Sequence, residues 1–322
     1  MIPVAVVTGF LGSGKTTLIS RILRDPGFGR TAVIVNEFGE VGLDHELIAS
    51  SDDKVLTLNT GCLCCAVQSD LARTLAELLR RREAGTAQYD RVLIETSGLS
   101  DPAPMLQTMM TDGSISATHQ VAAVVTLVDT VHGEQALHEH AEARHQVALA
   151  DRILLGKTDL RTPTEQLLTQ LETLNPGVPR MLASQADPST LFSDGCLAAL
   201  SDRLAGVRPS RGHGEIETFM ITRTRPLPAL ALTLMLQAIA EHCGSRLLRL
   251  KGLVAIEEMP GRPAVVHGVR HVVSPPDFLD RWPSEDERTR IVLIVKAIPR
   301  HFASRLLDAI EEEVRDAIAH PL

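Results

Sequence analysis

The sequence predicts an α/β protein in which a larger domain, built on a mainly parallel sheet, precedes a smaller α+β domain. Three observations predict it. Short apolar, β-rich segments alternate with longer helical patterns through the first part of the chain, the order expected of βαβ units. Most of these segments are continuously apolar rather than alternating, as in strands covered on both faces. The stretch "AGVRPSRGHGEI" (205–216) then breaks the pattern with Gly, Pro and Ser. The expected division is a first domain over 1–204, a linker over 205–216 and a second domain over 217–322.

In the first domain the strands fall at "VAVVTG" (4–9), "TAVIVN" (31–36), "KVLTLN" (54–59), "RVLIET" (91–96), "AAVVTLVD" (122–129) and "DRILLG" (151–156). Helices are expected over 15–24, 67–83, 134–149 and 163–174, where apolar residues recur every three and four positions. The second domain reads as a strand (217–223), a helix (227–242), strands near 247–257, 264–273 and 290–297, and a closing helix (300–319). That order suits an antiparallel sheet.

Composition narrows the function classes. The 322 residues are 44% hydrophobic and 22% charged, but aromatics are only 3%, so aliphatic side chains must fill the cores. A net charge of -8, without a Lys/Arg block able to track a phosphate backbone, argues against nucleic acid as principal partner. Apolar runs fall short of the about 20 residues a membrane span needs, and the N-terminus lacks the features of a signal peptide. A cytoplasmic protein with no membrane partner is expected.

The most informative motif is "GFLGSGKTT" (9–17), which satisfies the P-loop spacing between a strand and a helix. It makes Gly9, Gly12, Ser13, Gly14, Lys15, Thr16 and Thr17 the candidate phosphate-binding residues. Backbone N–H groups cradle phosphate oxygens, Lys15 supplies a point charge, and the Thr16 hydroxyl can ligate Mg²⁺. At the end of a later strand, "ETSG" (95–98) places Glu95 to hold that metal ion and Gly98 to sense a γ-phosphate. The first domain is therefore expected to be a P-loop NTPase. "LLGKTDL" (154–160) suggests guanine as the base: Lys157 stacks on the ring and Asp159 accepts from its N–H groups, although Gly156 stands where an Asn is usual. "MLAS" (181–184) brings Ser184 toward the same base.

The second motif is "NTGCLCCAV" (59–67), which places Cys62, Cys64 and Cys65 within four positions. Thiols this close cannot pair with one another without strain, and in a reducing compartment they read as metal ligands or redox groups. Three soft donors suit Zn²⁺ or another thiophilic ion and leave a tetrahedral site wanting a fourth ligand, from Glu37, water or a partner. The P-loop, "NEFGE" (36–40), "NTGCLCC" and "ETSG" each follow a strand, so they should share the ligand-binding edge of the sheet. Cys196 and Cys243 read as core residues. His132, His138, His140 and His145 could form a secondary metal site on one helix, but a solvated helix face is the better reading; His267 and His271 are weaker candidates.

Taken in order, "GFLGSGKTT", "NEFGEVGLD", "GCLCC", "ETSG" and "KTD" resemble the CobW-like family of P-loop GTPases, and "RLLRLKGLVAIEEMPGRPAVVHGV" (246–269) resembles that family's C-terminal domain. The resemblance implies a GTP-hydrolysing metallochaperone that carries Zn²⁺, or Co²⁺, on Cys62, Cys64 and Cys65 to a client metalloprotein, with Glu37 a neighbouring ligand. Lys15, Thr16 and Glu95 would then carry the hydrolysis. A cobalt or iron insertase, or a GTP-binding metal sensor without turnover, are its alternatives. No water-orienting Gln or arginine finger is evident, so slow intrinsic hydrolysis is expected, accelerated by the client or by a second protomer of a homodimer.

Overall fold

The structure, a computed structural model, describes residues 1–36, 55–58, 66–192, 216–299 and 301–320. Cys62, Cys64, Cys65, Glu37, Cys196 and the linker residues 205–215 lie outside the described residues. The chain divides into two compact units, one carrying a parallel sheet and the other an antiparallel one.

The first unit begins with β1 (Ile2–Thr8), α1 (Lys15–Leu23), β2 (Thr31–Asn36), β3 (Val55–Leu58), α2 (Ala66–Glu83), β4 (Arg91–Glu95) and α3 (Ala103–Thr111). It continues with β5 (His119–Asp129), α4 (Gly133–Glu139), α5 (Ala141–Leu149), β6 (Arg152–Gly156), α6 (Glu165–Leu174) and β7 (Arg180–Leu182). Seven strands form one sheet in the order β3-β2-β4-β1-β5-β6-β7, and every pair is parallel. Val4 to Val7 are fully buried, as are Val92 to Ile94, which is why these strands read as apolar runs. On one face Leu18, Ile19 and Ile22 of α1 pack on Val7, Val125 and Leu127. Their spacing is that of a single helical stripe.

Strand order positions the site. From β1 the chain adds β4 on one side and β5 on the other, with Val7 in register with Glu95 and Thr8 with Thr126. A crevice at such a switch point, at the C-terminal ends of the strands, is where open α/β sheets take ligands.

Two features depart from the expected elements. The helix expected over 134–149 is two helices, because His140 is extended (φ −115°, ψ 123°) between α4 and α5. Helix α3 was not expected: its sequence "APMLQTMMT" is apolar almost all round and gives little periodic contrast.

In the second unit, β8 (Ile216–Arg223), α7 (Ala229–Cys243), β9 (Leu247–Val254), β10 (Ala264–Val269), β11 (Val272–Val273), β12 (Asp277–Phe278), β13 (Thr289–Lys296) and α8 (Phe302–Ala319) follow in order. The sheet runs β11-β10-β9-β13-β8, antiparallel throughout, with β12 on β10. Met235 and Ile239 of α7 and Leu307 of α8 pack on Leu250, Ile291, Leu293 and Val295 of the sheet. Cys243 is buried in this core, as its isolation in the sequence suggested. No helix among the described residues is long and apolar enough to cross a membrane.

Candidate functional site

The site is built on the loop between β1 and α1. Gly9 has φ +148°, and a Cβ there would lie 2.3 Å from the Leu127 carbonyl oxygen, so only glycine lets the loop leave β1 against β5. Gly14 caps α1 with no side-chain hydrogen bond, and the first turn holds no acidic residue. The helix therefore presents uncapped N–H groups and the positive end of its dipole to the crevice, which is an anion site in itself. Lys15 is buried and its Nζ donates to the carbonyls of Gly9 (2.9 Å) and Phe10 (3.3 Å). Ser13 Oγ is buried and has no hydrogen-bond partner among the described residues, a cost of about 1–3 kcal/mol that a phosphate oxygen would relieve. Thr17 is exposed at the same helix start.

Glu95 ends β4 beside this loop. It is buried, and Thr16 Oγ1 donates to its Oε1 at 3.1 Å. The neighbouring strand ends are also fixed: Thr96 Oγ1 donates to Thr8 Oγ1 at 2.7 Å, and the Thr96 N–H to the Val7 carbonyl at 3.0 Å. Next along the chain, Gly98 abuts the P-loop, where a Cβ would lie 2.7 Å from the Leu11 nitrogen. Sequence reasoning paired Glu95 with Thr16 through a shared metal ion; the structure also brings Gly98 onto the P-loop backbone.

The "GKTD" segment closes the other side. Thr130 Oγ1 lies 2.7 to 3.1 Å from the carbonyls of Gly156, Lys157 and Arg161, which holds Lys157 in the left-handed region (φ 57°). Lys157 Nζ donates to Asp129 Oδ2 at 2.8 Å, and Asp129 also accepts from the Val131 N–H and meets the His132 ring. Burial alone would raise the Asp129 carboxyl, but Lys157, Val131 and His132 together hold it below the usual carboxylate range. Asp129 therefore stays ionised toward Lys157 until the pH falls below the usual carboxylate range. Asp159 is exposed, with its carboxylate open to a ligand. Gly156 also acquires a physical reason: a Cβ there would sit 3.1 Å from the Ser13 carbonyl. The glycine lets β6 approach the P-loop closely, where a side chain would ask the loop to give by a few tenths of an ångström.

Ser184 contributes its backbone. Arg21 of α1 donates from Nη1 to the Ser184 carbonyl at 2.6 Å and from Nη2 to the carbonyls of Ala183 and Ala186. This clamp ties the phosphate-binding helix to the turn after β7, and no short motif announces it. Arg21→Ala is expected to raise the KM for GTP about three- to tenfold with little change in kcat, because it loosens a ground-state contact. Steady-state kinetics would check this.

Three of the four histidines of the α4–α5 region make separate contacts. His132 contacts Asp129, His145 contacts Asp101 at 3.2 Å, and His140 stacks on Phe10 with ring centroids 4.4 Å apart. The extended His140 separates the two helices, so the four do not share one face. Among the described residues no group of three or more His, Cys, Asp or Glu could hold a metal ion, and this includes His267 and His271.

A phosphate cradle at a sheet switch point, with an acidic strand end beside it and a Lys-x-Asp loop across it, defines a P-loop NTPase. Residues 3–181 match the family of CobW/HypB/UreG nucleotide-binding domains, and residues 216–311 match the cobalamin synthesis protein cobW C-terminal domain. The chain belongs to the CobW family of P-loop GTPases. It is 32% identical to the zinc chaperone YjiA of Escherichia coli K12, over 99% of this chain and 98% of that protein. It is 31% identical to the zinc chaperone CobW of Pseudomonas aeruginosa, over 99% of this chain and 92% of that one. A crystal structure of Zn(II)-bound YjiA GTPase from E. coli superposes with a TM-score of 0.72 at 28% identity, covering 96% of this chain and 98% of that one.

Proposed function

We propose that this GTPase is a metallochaperone that binds Zn²⁺ on Cys62, Cys64 and Cys65, with Glu37 beside them, and transfers it to a client metalloprotein. The observation that carries the nucleotide half of the reading is the Thr16–Glu95 contact of 3.1 Å beneath an uncapped helix N-terminus. A hydroxyl and a carboxylate at that spacing are the hard oxygen donors Mg²⁺ takes. Bound there, Mg²⁺ would neutralise charge on the outer phosphates. The chain's own groups do the rest. The α1 N–H groups and Ser13 hold the phosphates, Lys15 swings its ammonium from the loop carbonyls to the outer phosphate oxygens, and Gly98 meets the γ-phosphate. Lys157, steadied by Asp129, lies along the guanine ring and Asp159 accepts from its N–H groups.

The cargo reading rests on chain order and on the relatives. Residues 59–65, which contain the cysteines, directly follow β3, and β3 is parallel to β1 in the same sheet, so it ends on the phosphate-binding edge. Relatives matched over nearly their whole length are named zinc chaperones. Linkage then requires reciprocity: if hydrolysis changes metal affinity, metal changes nucleotide affinity or turnover.

The test measures GTP turnover with and without stoichiometric Zn²⁺, in the wild type and in a variant carrying Cys62→Ser, Cys64→Ser and Cys65→Ser. Zn²⁺ is expected to change wild-type turnover about fivefold or more and to leave the variant unchanged. A wild type indifferent to Zn²⁺, or a variant that responds equally, would remove the thiols from the mechanism.

A further inference from the structure

We infer that Gln146 of α5 is a positioning residue for GTP hydrolysis, holding the turn after β4 in place against the P-loop. Gln146 is 1% exposed. Its Nε2 donates to the Gly98 carbonyl at 3.1 Å and to the Ser100 carbonyl at 3.0 Å, so both amide protons go to one turn. Two carbonyl acceptors fix which way the amide faces, because the reverse orientation would oppose oxygen to oxygen. The Gln146 backbone is itself tied down, with Thr126 Oγ1 of β5 donating to its carbonyl at 2.7 Å. A second link runs from His145 to Asp101 at 3.2 Å, one residue beyond the turn.

The result is a buried bridge from β5, which neighbours β1, through one side chain to the turn that touches the P-loop at Leu11. The bridge sets where Gly98 stands when a γ-phosphate is present, and so rests on the reading of Gly98 given above. Gln146 Oε1 has no hydrogen-bond partner among the described residues, and Gln146 lines a cavity of about 400 Å³ together with Phe10 and Ser13. Replacing the amide by an isosteric apolar group removes an unsatisfied acceptor but also leaves the Gly98 and Ser100 carbonyls without these donors, so the Tm and the GDP affinity are read beside kcat.

Gln146→Leu and Gln146→Glu separate positioning from general damage. Gln146→Leu is expected to lower kcat for GTP about 10- to 100-fold, the scale of a misplaced contact, while the Kd for GDP, which has no γ-phosphate, stays within about twofold. In Gln146→Glu an ionised carboxylate would face two carbonyl oxygens, so burial and repulsion raise its pKa. Once protonated it can donate one of the lost bonds. Its kcat should accordingly climb as the pH falls from about 8 to 6 relative to the wild-type profile, a signature that a merely structural role does not produce.

Wild-type kcat in Gln146→Leu would overturn the proposal, as would parallel loss of GDP affinity and kcat in both variants with no pH recovery. Lys15→Ala run alongside identifies which reading failed. Full turnover in that variant sinks the phosphate site and this proposal together. An inactive Lys15→Ala beside an unaffected Gln146→Leu sinks the proposal alone.

Discussion

Lys15→Ala is expected to reduce GTP turnover about 100- to 1000-fold, the usual loss when one preorganised donor to a developing charge is removed. The ammonium is buried at the start of α1, and the described loop offers no second lysine or arginine between Gly9 and Thr17 to replace it. Neither Arg21 nor Lys157 is available as a substitute, since each is engaged with carbonyls or with Asp129. The fold should survive, because Lys15 is at the first turn of a helix whose packing residues are Leu18, Ile19 and Ile22. On the proposed thiolate reading, Zn²⁺ binding by the isolated protein should also survive, as none of the three cysteines is touched. Radiolabelled GTP hydrolysis combined with a colorimetric Zn²⁺ competition assay measures both. Turnover within about twofold of wild type would remove the P-loop from the chemistry.

Gly98→Ala is expected to lower turnover about 100-fold, for a reason of space rather than charge. The added methyl would lie 2.7 Å from the Leu11 nitrogen, 2.8 Å from its Cα and 2.9 Å from its side chain. The first two are backbone atoms of the P-loop, so a rotamer change cannot relieve them. Either the loop or the turn must retreat, and the two carbonyl contacts to Gln146 hold the turn. Overpacking of this kind costs about 1–3 kcal/mol, visible as a lowered Tm. GDP binding should suffer less than GTP turnover. A variant with unchanged kcat would show that the turn can move freely away from the P-loop, contrary to its packing.

What was legible in the sequence follows from how local each signal is. "GFLGSGKTT" is contiguous, and its strand and helix flanks leave one reading, so β1, the loop and α1 are found where expected. Continuous apolar runs located the central strands because burial on both faces erases alternation. Arg21 and Gln146 were invisible for the opposite reason. Their partners lie 163 and 48 residues away, at Ser184 and Gly98, and those partners are backbone carbonyls, which any residue supplies. The break at His140 was missed because buried apolar residues fall on both sides of it, Leu137 before and Ala143 and Val147 after, and no Pro or Gly marks it. Gly156 looked like a missing Asn, and became intelligible only once β6 was seen against Ser13.

The two bonds from Lys15 to its own loop make the site selective by competition. An anion that takes up all of the ammonium's donors competes with the two carbonyl oxygens it holds at 2.9 and 3.3 Å. A monovalent or weakly basic anion gains too little from one contact to displace them, whereas a polyphosphate engages the ammonium, the helix N–H groups and Ser13 at once. The loop thus carries its own competing acceptors, and the residue that would grip the nucleotide is already held at the cradle before one arrives.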